Sequence, residues 1–162
     1  MDPINALAQI DPLNVNTNAV GDVTEWPAAA FYQPGSINVA AGGAPVGGVV
    51  TDIHNKYPYH DININLVQYL LNFPLSSTHH LSIEYASHVD RSCTVHFFRR
   101  GESAGAPLTG AALVGPTGGW ATYKWRDDNL QLAAAAGATY VLQLSRGAVF
   151  PHIRRLKLVR FL

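Results

Sequence analysis

The 162-residue sequence holds one cysteine, Cys93, and one methionine. A lone thiol closes no disulfide within the chain, so sulfur neither staples the fold nor reports the compartment. Charge is scarce at 14% of residues, where about a quarter is usual, and 11 basic side chains balance 11 acidic ones. That balance argues against nucleic acid or an anionic membrane surface as partner. A surface so thinly charged repels itself weakly, which suits a protein that works in contact with something. No uninterrupted apolar run approaches the ~20 residues of a membrane-spanning helix. Met1 to Asn5 lacks the basic region and apolar stretch of a leader peptide. Retention in a cell and export after leader removal both fit this start, so no compartment is assigned.

The marks of catalysis and metal binding are also thin. No Gly-x-Ser-x-Gly elbow occurs. Asp127-Asp128 and Glu102 fall in expected turns. Asp52, Asp61, Glu84 and Asp90 are carboxylates that a glycosidase pair could draw on, yet nothing singles one out. Seven histidines (His54, His60, His79, His80, His88, His96 and His152) show no metal-ligand spacing, and the single cysteine adds no partner. No enzyme activity and no metal site are expected. Cys93 reads as a small buried hydrophobe, and His96 as a satisfied sheet residue.

What the chain does have is 48% hydrophobic residues, enough for a core without disulfides or metals. From about residue 60 these residues alternate with polar ones. Ile62, Ile64 and Leu66 begin a run that stops at Pro74. Leu81, Ile83 and Tyr85 share one face of His80–Ala86, and Cys93, Val95 and Phe97 share another. Leu108–Val114 is short and apolar. The last forty-odd residues read as three strands, from Gly118-Gly119-Trp120 through Leu132, over Thr139–Leu144, and over Ile153–Leu162. A turn spans Ala133–Gly137, and a polar break follows Trp125. Strands at this spacing, punctuated by Gly and Pro, predict an all-β sandwich of the jelly-roll kind rather than βαβ units. Residues 21–162 form its single domain, with short strands near Val23–Trp26 and Ser36–Val39 among Gly- and Pro-rich loops. Residues 1–20 form an extended N-terminal arm. Its Ile4, Leu7, Ile10 and Leu13 recur at helical spacing, which suits packing on a neighbouring subunit. Arg154, Arg155, Lys157 and Arg160 alternate imperfectly with Ile153, Leu156, Leu158 and Phe161, giving one wet and one buried face, with the arginine pair bridging to carboxylates.

Several segments resemble carbohydrate-binding modules of families 6 and 35, jelly rolls of the galactose-binding-like type. They are Asp61–Pro74, Leu81–Ala86, Thr94–Phe98, Thr117-Gly118-Gly119-Trp120, Leu130–Gly137, Thr139–Leu144 and Phe150–Leu158. The resemblance covers roughly residues 55–162 and implies a non-catalytic domain that binds glycan. It departs at the head of the last strand, where His152 replaces the usual Asn and Arg154 and Arg155 replace the Asp and aromatic often found. The structural calcium that such modules carry is matched at best by Glu25. Calcium wants about six or more oxygen ligands, and Arg154 stands where one would be supplied.

A sugar ring is held by a flat aromatic face against its C–H patch and by side-chain dipoles on its hydroxyls. Tyr57-Pro58-Tyr59-His60 is a rigid aromatic loop, because Pro fixes one torsion and extends its neighbour. Trp120 follows two glycines at a loop–strand junction. The expected ligand-binding set is therefore Tyr57, Tyr59 and Trp120 for stacking, with His152 and Asn55 as hydrogen-bonding partners. The bland alternative has Trp120 covering the edge of the core and the tyrosines packing on neighbours. Tyr123 and Trp125 share a face and read as core or as a flat platform. The rival function is a structural or assembly subunit, capsid-associated or filament-forming, using the same fold and the arm at residues 1–20. A partner-binding domain of a larger enzyme complex is a third reading. The partner is thus a glycan or a protein.

Overall fold

A computed structural model describes residues 11–28, 30–32, 66–89, 93–108, 116–146 and 152–162, and of residues 120, 127–129 and 146 the backbone alone. The expected strands at 36–39, 61–65 and 109–114 lie outside the described residues. Those described form eight strands and no helix: β1 (Leu13–Asn14), β2 (Val23–Pro27), β3 (Leu66–Asn72), β4 (Ser77–Ser87), β5 (Cys93–Arg99), β6 (Gly119–Ala134), β7 (Thr139–Arg146) and β8 (His152–Arg160). They make two four-stranded sheets, β1-β3-β7-β5 and β2-β8-β4-β6. β1 runs parallel to β3, and the other pairs are antiparallel.

The alternation read from the sequence is what closes the two layers. Because side chains point to opposite faces along a strand, every second residue can be apolar and inward. In the first sheet Val67, Tyr69 and Leu71 of β3 sit opposite Leu144, Leu142 and Tyr140 of β7, and Val95 opposes Leu144 from the other side. The second sheet answers with Trp26, Leu81, Ile83, Leu132, Leu156 and Leu158, all in the same buried cluster. Leu71, Leu81, Ile83, Leu132 and Leu142 are fully buried. Truncating any of these to Ala costs about 2–5 kcal/mol, from lost transfer energy plus the cavity left behind. Tyr69 is buried with them, edge-on to Trp26 at 5.9 Å, and its hydroxyl donates to the Ala28 carbonyl at 2.6 Å. Burial holds that phenol protonated far above its ordinary range. Cys93 is buried in the same cluster.

Residues 11–20 are built into this sandwich. β1 adds to the edge of β3, and Val15 is buried with its N–H on the Asn72 carbonyl at 2.9 Å. The Asn16 N–H meets Thr24 Oγ1 at 2.8 Å, the Leu75 N–H meets Thr17 Oγ1 at 3.1 Å, and Arg160 donates to the Thr17 carbonyl. The segment thus bridges the two sheets. Of the arm's apolar residues Leu13 lies in β1, and Ile4, Leu7 and Ile10 lie outside the described residues.

The turn at Ala133–Gly137 is present as read, with Gly137 at φ 77° and its N–H on the Phe73 carbonyl at 2.9 Å. The polar break after Trp125 does not end a strand. β6 runs on through it, and the register on β4 slips between Leu81↔Leu130 and Ile83↔Arg126. A bulge absorbs the polar residues without breaking the sheet.

His79 and His80 point to opposite faces, as neighbours on a strand must. His80 stacks on Phe161 at 4.0 Å. His79 is fully buried, its Nε2 is 2.8 Å from Ser77 Oγ, and its Nδ1 has no hydrogen-bond partner. Phe73 lies against its ring at 5.4 Å. Burial, then the nearby Arg160, lowers its pKa to about 4. The unfolded chain takes up this proton near pH 6.5 and the folded chain resists it, so stability is full above 6.5 and falls as pH drops toward 4. We expect the wild type to lose about 1–2 kcal/mol between pH 7 and 5 through this group, measured by urea unfolding. The same interval should be flatter for His79→Leu; an unchanged slope contradicts the assignment.

Candidate functional site

The candidate site lies at one end of the second sheet, where β4 finishes at Ser87. Ser87 pairs with Gly119 of β6 on one side, and Ala86 pairs with His152 of β8 on the other. The chain reaches β6 through a fixed turn. The Thr117 N–H and hydroxyl both bond the Ser87 carbonyl, at 2.9 and 3.2 Å, and Thr117 Oγ1 accepts from the Ser87 N–H at 3.0 Å. Gly118 then takes φ 114°, in the left-handed region that favours glycine. This is why Thr-Gly-Gly-Trp opens a strand here.

Two of the five sequence-expected residues come to this end. Trp120 follows Gly119 on β6, and His152 is the first residue of β8. They flank β4, so their backbones stand two strand spacings apart, roughly 10 Å. Ala86, on the strand between them, is fully buried. His152 is half-buried; the side chain of Trp120 lies outside the described residues, as do Tyr57, Tyr59 and Asn55 entirely.

Next to this end, on the outer face of the same sheet, is a layer that sequence reasoning saw only in part. Glu84 of β4 is 4% exposed. Arg154 donates to it through Nε at 2.7 Å and Nη2 at 2.8 Å, and Arg155 through Nε at 2.8 Å and Nη2 at 3.0 Å. One carboxylate thus carries two guanidinium forks. Arg155 also reaches Glu25 of β2 at 3.0 Å. The cations lie over aromatic rings of β6: Arg154 over Tyr123 at 4.1 Å, Lys157 over Trp125 at 4.3 Å and Arg155 over Trp125 at 5.5 Å. Tyr123 and Trp125 are therefore a platform on the outer face, not core. The expected bridging of the arginine pair to carboxylates is present. That the partner would be Glu84 depended on strand register, which no local spacing encodes.

The forks hold the Glu84 pKa down at about 2, hydrogen bonds from Arg154 and Arg155 outweighing its burial. A carboxyl so acidic cannot serve as the general acid of a glycosidase pair near neutrality. The residues weighed for calcium are held in ion pairs. Glu25 is taken by Arg155, and Arg154 is bound to Glu84. Among the described residues no group of three or more His, Cys, Asp or Glu side chains is placed to hold a metal ion. His96 differs from expectation: its Nδ1 is buried without a hydrogen-bond partner.

No family model matches the sequence, and no curated protein matches it. Solved structures do. The Podospora anserina GH26-CBM35 β-(1,4)-mannanase is 16% identical with a TM-score of 0.62, over 89% of this chain and 28% of that one. The CBM35 from Paenibacillus barcinonensis is 16% identical with a TM-score of 0.52, over 86% of this chain and 98% of that one. The fold is that of a family 35 carbohydrate-binding module. The module fold, a jelly-roll sandwich, is thus shared at an identity too low to carry residue roles across. The chain spans only 28% of the mannanase, about the share of one domain.

The Glu84 carboxyl should stay ionised from pH 8 down to about 3, its folded pKa lying below the ordinary carboxylate value. Its side-chain carbon resonance in a pH titration reads this directly. A midpoint near 4.5 would mean the forks are not formed in solution.

Proposed function

We propose that the chain is a non-catalytic carbohydrate-binding module that holds glycan by aromatic stacking at the Ser87 end of the second sheet. The carrying observation is the register, in which Ser87 pairs with Gly119 and Ala86 with His152. Trp120 and His152 then flank the end of β4, their backbones two strand spacings apart, roughly 10 Å. Trp120 offers the stacking face, joined by Tyr57 and Tyr59 from their loop. His152 and Asn55 bond the hydroxyls, since a neutral imidazole carries one donor and one acceptor. Tyr123, with Arg154 fixed over its ring, continues the aromatic row along β6.

The module fold supports this reading, as does a surface of low charge. Such a cleft is shallow and weak for each copy, so useful binding comes from several copies acting together. A glycan array followed by calorimetry tests it. The wild type should retain at least one glycan, and Trp120→Ala should weaken that glycan about tenfold or more with unchanged circular dichroism. A folded wild type that retains no glycan, or a Trp120→Ala that binds equally well, contradicts it.

A further inference from the structure

Arg154 and Arg155 are neighbours in sequence, yet both stand on the outer face of the sheet with Glu84. In a regular strand adjacent side chains point to opposite faces, so one of the two should have turned into the core. The register explains why neither did. Glu84 pairs with Arg155 and Tyr85 pairs with Ile153, so Arg154 is an extra residue in β8, a bulge opposite the Glu84–Tyr85 step.

The bulge resets the parity of the strand. Beyond it Leu156 and Leu158 face the core. Without it, holding those two leucines inward would put Arg154 and His152 inward too and turn Ile153 out. With it, Ile153 is buried beside Tyr85, and His152 shares the outer face with Ala86. The face on which His152 stands is therefore decided at the bulge.

We infer that Glu84 is the positioning residue of the binding end: by accepting both guanidinium forks it holds the bulge at Arg154, and so sets His152 on the outer face beside Ala86. Among the described residues Glu84 is the carboxylate that both arginines reach; the Ala28 N–H on the Arg154 carbonyl at 2.8 Å and the Arg155–Glu25 pair add ties from β2. Ordinary pairing would be satisfied by a regular strand, but a regular strand would bury the Arg154 guanidinium among leucines, at several kcal/mol for an unpaired charge. Glu84 is buried at the one strand position that both arginines reach. Tyr123 and Trp125 then close the outer side of the layer against the same cations. The role rests on the glycan-binding reading only for its consequence, not for its geometry.

The test is a double-variant cycle on glycan affinity with an independent structural readout. Glu84→Gln keeps the shape but can accept fewer hydrogen bonds and carries no charge. It should weaken the glycan by about tenfold, and His152→Ala should do the same. The double variant should bind within about twofold of His152→Ala alone, because Glu84 acts through His152. Additive losses would overturn the inference. In parallel, a proton contact between the His152 ring and the Ala86 methyl should be present in the wild type and lost in Glu84→Gln, while resonances of β3, β5 and β7 stay in place. A retained contact overturns the inference whatever the affinities. Should the wild type bind no glycan, the module reading fails and this contact alone decides the positioning role. Where Glu84→Gln does not fold, Arg154→Lys supplies the same contact readout, since an ammonium keeps the charge but donates no fork.

Discussion

A single buried carboxylate under two arginine forks organises the outer face of the second sheet near Ser87. Glu84 lies in β4, which pairs with β6 on one side and β8 on the other. Its two partners come from β8, and their other faces rest on rings from β6. The ion layer therefore ties three strands across the outer face, where no hydrophobic core is available to do so. Coulomb attraction alone would give little at a half-exposed arginine. What makes the layer effective is its geometry, with planar forks on both oxygens and flat rings beneath the guanidinium planes.

The inner and outer faces of the second sheet do separate jobs. Inward, Leu81, Ile83, Leu156 and Leu158 pack against the first sheet and hold the sandwich closed. Outward, charge and aromatic rings build a surface. The bulge at Arg154 reconciles the two, since it lets β8 keep its leucines inside while presenting two arginines and a histidine outside. The slips in β6 do the same on the other side of β4, where Trp120 to Tyr123 lie across from Ala86 and the polar residues 127–129 are absorbed. The bulge at Arg154 and the slip between Tyr85 and Ser87 both border the Ser87 end of the sheet and re-aim the side chains there.

Much of the fold was legible because burial follows a period of two. β3, β4, β5, β7 and β8 fall where the alternation puts them, and the Ala133–Gly137 turn was marked by its glycine. The parallel pairing of Leu13–Asn14 with β3 was not legible, because two residues in an Asn-rich stretch carry no periodic signal. The continuity of β6 was hidden because a bulge looks like a polar break when only one strand is read. At the site, Trp120 and His152 were named from resemblance and from their places at strand starts. The Glu84 layer was half visible. Two adjacent arginines in an otherwise alternating strand broke the pattern, and that break was the trace of the bulge. Their partner, seventy residues away, is fixed only by how strands align.

The central claim is the register around Arg154, and cross-strand proton contacts in the nuclear magnetic resonance spectrum of the wild-type protein test it most directly. The account predicts contacts between the α-protons or amides of Tyr85 and Ile153 and of Glu84 and Arg155, with no β4 residue paired to Arg154. Contacts pairing Tyr85 with Arg154 in an unbroken ladder would contradict it.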